Sequence, residues 1–346
     1  MTHSHTASTR PGALVLASPA ALVAGIRFLL GFAPSDSAVL LCLDGGQLVL
    51  TQRLDLPAAR DIDAWAAAVW AHAGAAASDE VIAAFVDPVS GVGPVADRLV
   101  VDARERGMRL RDLLEVRDGR WRSLLCVDPA CCDPDGQAVD AAVFDAVAAE
   151  FAVVGVAPLP RREDLVASFA ADDAAAARVT ALLGPGRPSG SDVEDWRDRA
   201  IAHGLAALAR SAASPASDAD IAAVLEGLVD VRVRDTVLWE LMRRPRAGLH
   251  AAVAALVPIV RAAPGGFVAP AATCAAICAW LVGDGARARI ALDRALADNP
   301  DYTMAALVDG ALSGGMPPSG WREAMSGLTR ADCRHGQRER RNASRA

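Results

Sequence analysis

The sequence predicts an α/β unit, a mixed sheet with helices, followed by an all-α helical unit. Apolar, β-rich runs bounded by turn residues recur as far as Val127, and strand signals disappear from Arg161 onward. Gly184 to Ser191 (GPGRPSGS) is the strongest linker-like stretch between the two. At 346 residues the chain exceeds the ~250–300 at which single cores stop growing, so two domains with separate cores are expected.

Each element has a local reason. Ser18-Pro19 reads as an N-cap followed by the favoured first helical residue, and the helix it opens, Pro19 to Leu30, closes at Gly31. Its twelve residues make about 18 Å of helix, short of the ~30 Å bilayer core, and Arg27 interrupts the apolar run. It therefore reads as a buried helix and not as an export signal or anchor. The runs Ala38–Leu43 and Gln47–Arg53 flank Asp44-Gly45-Gly46, whose Asp-Gly step supplies the positive φ angles of a tight hairpin. Asp61–Ala75 has helical spacing, and Glu80–Asp87 is an apolar run stopped by Pro88, the pattern of a buried strand. A helix over Pro94–Arg106, a strand over Leu110–Arg117, a second Asp-Gly turn at Asp118-Gly119, a strand over Trp121–Val127 and a helix over Val139–Phe151 complete the unit.

Helices are then expected near Asp192–Arg210, Asp218–Val229, Arg234–Arg243, Leu249–Arg261, Pro270–Val282, Gly285–Asp298 and Tyr302–Leu312. The resulting plan is a disordered start over 1–12, the α/β domain over 13–157, a connecting helix and linker over 158–192, the helical domain over 193–328 and a disordered Arg-rich tail over 329–346. Gly283 to Pro300 looks like the second helix of a tetratricopeptide repeat, with Ala288, Ala295 and Pro300 in its small-residue and terminating positions. No second copy follows at the ~34-residue period, which argues against a repeat array.

Composition excludes several classes. All 35 basic residues are arginine, a bias expected of a GC-rich bacterial genome. Without lysine there can be no P-loop and no Schiff-base chemistry. The net charge of −7 gives no global field for phosphate backbones, which argues against a nucleic-acid partner. Locally, Arg330 to Ala346 carries six arginines against Asp332 and Glu339, the pattern of a solvated end. Seven cysteines, an odd number at low density, point to a reducing cytoplasm and not to a disulfide framework. The histidines are scattered and none lies in a zinc-protease or hydrolase motif.

Few places could hold chemistry. Cys126, Cys131 and Cys132 (C-x4-C-C) sit among Asp128, Asp133 and Asp135, but no histidine is near and adjacent cysteines serve one ion poorly. A structural turn shaped by Pro129, Pro134 and Gly136 is the expected reading, with no metal expected and the three cysteines as the only metal or redox candidates in this segment. Gly91 to Ala96 matches G-x-G-x-x-A, yet it follows a hairpin-first sheet and Pro94 reads simply as the opening of a helix, so no dinucleotide cofactor is implied. Cys274 and Cys278 share a helix face as small core residues. A pocket could form where Ser35, Asp36 and Ser37 meet Arg53, Asp55, Arg120 and Trp121, although turn chemistry and ion pairing account for the same residue types.

Four segments together, LLGFAPSDSAVLL at 29–41, RLDLP at 53–57, RDGRWRSLLC at 117–126 with the CCDPDG turn after it, and GDGARARIALDRALADNPDY at 283–302, resemble the bacterial domain of unknown function 4192 family. The resemblance spans nearly the whole chain. It implies an α/β part and a helical part in a cytoplasmic protein and carries no functional residue across. Two functions stay open. The first is a non-enzymatic interaction or regulatory protein, binding a protein partner through its helical domain without cofactor or membrane. The second is a small-molecule enzyme or binder using a cleft near Asp36, Arg53 and Asp55. A polar concavity at the sheet's edge would favour the second, and a concavity among helices the first.

Overall fold

The computed structural model describes residue 16 and residues 18–128, 132–153, 155–210 and 214–336. Helix α1 (Pro19–Leu30) begins where the Ser18 side chain accepts the Ala21 N–H at 3.1 Å. Strands β1 (Ser37–Asp44) and β2 (Gln47–Asp55) form the hairpin, joined through Gly45 and Gly46 at φ 54° and 78°. Helix α2 (Ile62–Ala75) leads to β3 (Glu80–Val86), and α3 (Gly93–Arg106) carries the chain back to β4 (Arg109–Arg117). A two-residue turn then gives β5 (Arg120–Ser123), followed by the short β6 (Gln137–Ala138) and α4 (Ala141–Val153).

The described strands form one mixed sheet in the order β2-β1-β3-β4-β5-β6. Only β3 and β4 are parallel, because α3 returns the chain to the starting end, whereas the tight turns force antiparallel neighbours. The central strands β1 and β3 are buried on both faces, which is why they read as continuous apolar runs. On one face Leu40, Phe85 and Leu113 pack against Trp70 of α2 and Leu99 of α3. On the other, Val39, Leu41, Val86 and Val116 pack against Ile26 and Leu30 of α1. The strand expected over Trp121–Val127 stops at Ser123. There the Ser123 hydroxyl bonds Asp112 at 2.5 Å and accepts the Leu125 and Cys126 N–H groups at 3.2 Å, turning the chain out of the sheet.

The helical half contains α5 (Arg162–Ala167), α6 (Asp173–Thr180), α7 (Val193–Arg210), α8 (Asp218–Val229), α9 (Val231–Met242) and α10 (Arg246–Arg261). It continues through α11 (Val268–Leu281), α12 (Gly285–Asp298), α13 (Thr303–Ser313), α14 (Pro318–Ala324) and α15 (Arg330–His335). Every residue of α11 is buried, and its alanines, Thr273, Cys274 and Cys278 let α10 and α12 approach closely. The two cysteines are free thiols, with burial raising both pKa values, that of Cys278 to about 12.

Three findings correct the expected plan. The halves do not have separate cores: the apolar cluster on the α1 face of the sheet runs unbroken through Leu165 of α5, Ile201 of α7, Leu256 of α10 and Ile277 of α11. The segment 158–192 is not a free connector, since Leu165, Phe169 and Val179 are buried in that same cluster. The segment from 329 does not begin as a disordered tail. Thr329 and Asp332 form a capping box at the start of α15, and Arg334, 4% exposed in its side chain, pairs with Glu194 at 2.5 Å and Asp198 at 2.8 Å. Both 1–12 and 337–346 lie outside the described residues.

The hairpin can be tested directly. Gly45 has φ 54° and open space around a built Cβ, so a side chain there meets backbone strain and nothing else. Gly45→Val should lower stability by about 1–3 kcal/mol in urea unfolding, and an unchanged midpoint would remove the turn assignment.

Candidate functional site

The carboxyl ends of β2, β3 and β4 and the starts of β1 and β5 share one edge of the sheet. Ser37 opens β1, and its hydroxyl donates to the Ser35 carbonyl at 2.5 Å while accepting Arg53 Nε at 2.8 Å. Arg53 also pairs with Asp55 at 2.6 Å. Asp36 and Asp87 both hold positive φ, 43° and 42°, and each uses its carboxylate on backbone: Asp36 accepts the Val89 N–H and Asp87 the Asp118 N–H, both at 3.1 Å. The structure therefore unites Ser35, Asp36, Ser37, Arg53 and Asp55. It places Arg120 and Trp121 elsewhere, on β5, four strand spacings or about 19 Å from β2.

Arg120 does a different job there, donating to the carbonyls of Asp135 at 2.9 Å and Gly136 at 2.5 Å and so holding the turn before β6. Trp121 is buried against the α1 face of the sheet. Between the two groups lies a set the sequence did not flag. Glu115 is buried on β4 and bridges Arg117 at 2.9 Å and Arg122 at 2.5 Å. Burial pushes the Glu115 carboxyl up, but the two guanidinium groups outweigh it and hold it below the usual range. The edge is thus a lattice of ion pairs and backbone caps in which these carboxylates already have donors, the chemistry of strand-end closure.

The cysteine group is only partly visible. Cys131 lies outside the described residues, while Cys126 and Cys132 are half-buried, and the Cys132 N–H donates to the Asp128 carbonyl at 2.8 Å. Among the described residues no cluster of three or more His, Cys, Asp or Glu side chains is arranged to hold a metal ion. The Gly91–Ala96 segment delivers Gly93-Pro94 as the first turn of α3.

A concavity of about 660 Å³ lies in the helical half. Its walls are the 184–187 loop, Arg197 of α7, Glu226 and Val229 of α8, and Val231 and Arg232 of α9, with Phe267 against them. Asp230 joins α8 to α9 and is the organising residue. It caps α9 by accepting the Arg232 and Val233 N–H groups at 2.9 and 3.2 Å, and it takes Arg197 at 3.0 Å and Arg187 at 3.5 Å. Burial pushes the Asp230 carboxyl up, yet the Arg197 guanidinium and the α9 amides more than reverse this and hold it below the ordinary aspartate value. Glu226 is likewise engaged, accepting the Gly184 N–H and drawing the loop onto α8. Sequence reading missed this site because it took 184–191 as a linker. The detectable signal was the Asp-Val-Arg at 230–232, an N-cap followed by a cation in the first turn, where an acid is favoured.

A mixed sheet fused through a shared core to a helical half, with its concavity among the helices, defines a two-part α/β and all-α protein. The chain matches the family described as Domain of unknown function (DUF4192) over residues 19–319 and belongs to it. No curated protein and no solved structure matches the chain. Among the described residues no helix is long and apolar enough to cross a membrane.

Proposed function

We propose that this is a non-enzymatic, cytoplasmic interaction or regulatory protein whose sheet half is a scaffold and whose helical half presents its concavity to a protein partner. The observation that carries this reading is the position of that concavity, between the α8–α9 junction and the 184–187 loop, with Val229 and Val231 half-exposed on its rim. The strand-end groups, in contrast, are engaged with one another and with backbone. The α11–α12 pair, with Ala288 and Ala295 fully buried in its second helix, supports a tetratricopeptide-like use of the helical half as a binding surface.

The test compares capture from native lysate by three proteins. Val231→Asp places a charge on the rim at the first residue of α9, where an acidic side chain suits the helix end, so the fold should be kept. A partner held by the wild type and by Asp55→Asn should be lost with Val231→Asp. Loss with Asp55→Asn and retention with Val231→Asp would move the site to the strand ends and overturn this reading.

A further inference from the structure

We propose that the concavity recognises an acidic segment of a protein partner, with a partner carboxylate on the Arg232 guanidinium and an apolar partner side chain against Val231 and Phe267. The proposal rests on the interaction reading above and adds the partner's chemistry.

Charge accounting within the cavity carries it. Three arginines, Arg187, Arg197 and Arg232, face two carboxylates, Asp230 and Glu226. Asp230 is saturated by two guanidinium groups and two backbone amides, and Glu226 holds the Gly184 amide. The Arg232 guanidinium makes no hydrogen bond or ion pair with any described residue; it lies against Gly336, where the absent side chain leaves it room. It is also in an unfavourable place. In the first turn of α9, which holds no acidic residue, the helix end repels a cation. A side chain that works against its own helix and has no partner among the described residues is expected where a ligand supplies the counter-charge.

Exposed Val229 and Val231 and half-buried Phe267 add an apolar rim. An acidic, apolar peptide satisfies both features. A nucleic acid would need a longer row of free cations and would meet a chain of net charge −7.

The experiment measures fluorescence anisotropy with a fluorescein-labelled twelve-residue peptide of alternating glutamate and leucine. Its glutamine-leucine counterpart and a labelled single-stranded oligonucleotide are run beside it. The glutamate peptide should bind the intact protein, weaken as salt rises and outbind the glutamine peptide. Arg232→Glu should reduce affinity at least tenfold, and Arg232→Lys should restore part of it. Because an acid suits the first turn of α9, Arg232→Glu should leave the melting temperature unchanged or higher, which separates lost binding from lost fold. Equal affinity for the glutamine peptide, no binding of the glutamate peptide, a stronger oligonucleotide complex, or full binding by Arg232→Glu would each overturn the proposal. If lysate capture is sensitive to Val231→Asp but indifferent to Arg232→Glu, the docking reading stands and its acidic chemistry falls. If capture is indifferent to both, both fall.

Discussion

Asp230→Ala should destabilise the protein by about 3–5 kcal/mol, the scale for breaking a buried charge pair that also caps a helix. The loss has two parts. The Arg232 and Val233 amides at the start of α9 lose their acceptor. Arg197, 16% exposed in its side chain, is left with Glu194, itself 48% exposed, as its only anionic partner among the described residues. Asp230→Asn separates the parts, because asparagine caps as well as aspartate but carries no charge. It should lose clearly less than alanine in urea unfolding, and equal losses would mean that the cap contributes nothing. The same carboxyl sets an acid limit. Its folded pKa lies below its unfolded value, so its stabilisation is complete above the ordinary carboxylate range and fades as pH falls through the folded value. Glu115, held low against burial by Arg117 and Arg122, acts in the same direction. Stability of the wild type should therefore fall on acidification below about pH 4, more steeply than that of Asp230→Ala.

What the sequence showed and what it hid divide along the range of the interactions involved. Local chemistry was legible: the Ser18-Pro19 start of α1, the Asp44-Gly45-Gly46 and Asp118-Gly119 turns and the doubly buried runs of β1 and β3 all lie where nearest-neighbour rules put them. So did the change from a mixed sheet to helices. Features made by distant partners were not legible. The GPGRPSGS stretch has linker composition, but Glu226, some forty residues away in sequence, anchors it by a single amide and turns it into a cavity wall. Six arginines in the last seventeen residues suggest a solvated end, yet Arg334 finds Glu194 and Asp198 on α7 and carries α15 into the fold. Arg53, on the exit of the first hairpin, and Arg120, beside the Asp118-Gly119 turn, looked like neighbours in one pocket. Strand order, which no single-segment pattern encodes, puts them at opposite sides of the edge.

The shared core makes its own prediction about how the halves unfold. Gly315, between α13 and α14, has φ 74°, and a Cβ built on it would stand 3.0 Å from the His72 Cα on α2. His72 in turn bonds Gln52 of β2 at 2.8 Å, so the helical half presses its backbone on the hairpin side of the sheet. Gly315→Val meets left-handed strain and a backbone contact that no side-chain rotation relieves. The expected loss is about 2–4 kcal/mol, against about 1–3 kcal/mol for Gly45→Val, whose strain arises in open space. The difference between the two variants isolates the contact from the backbone term. Because one apolar cluster crosses from sheet to helices, the loss should appear in a single transition, with tryptophan fluorescence and far-ultraviolet circular dichroism shifting together. Equal losses for the two variants would show that Gly315 does not press on α2 in solution. Two separated transitions would show that the halves unfold as independent bodies despite the common core.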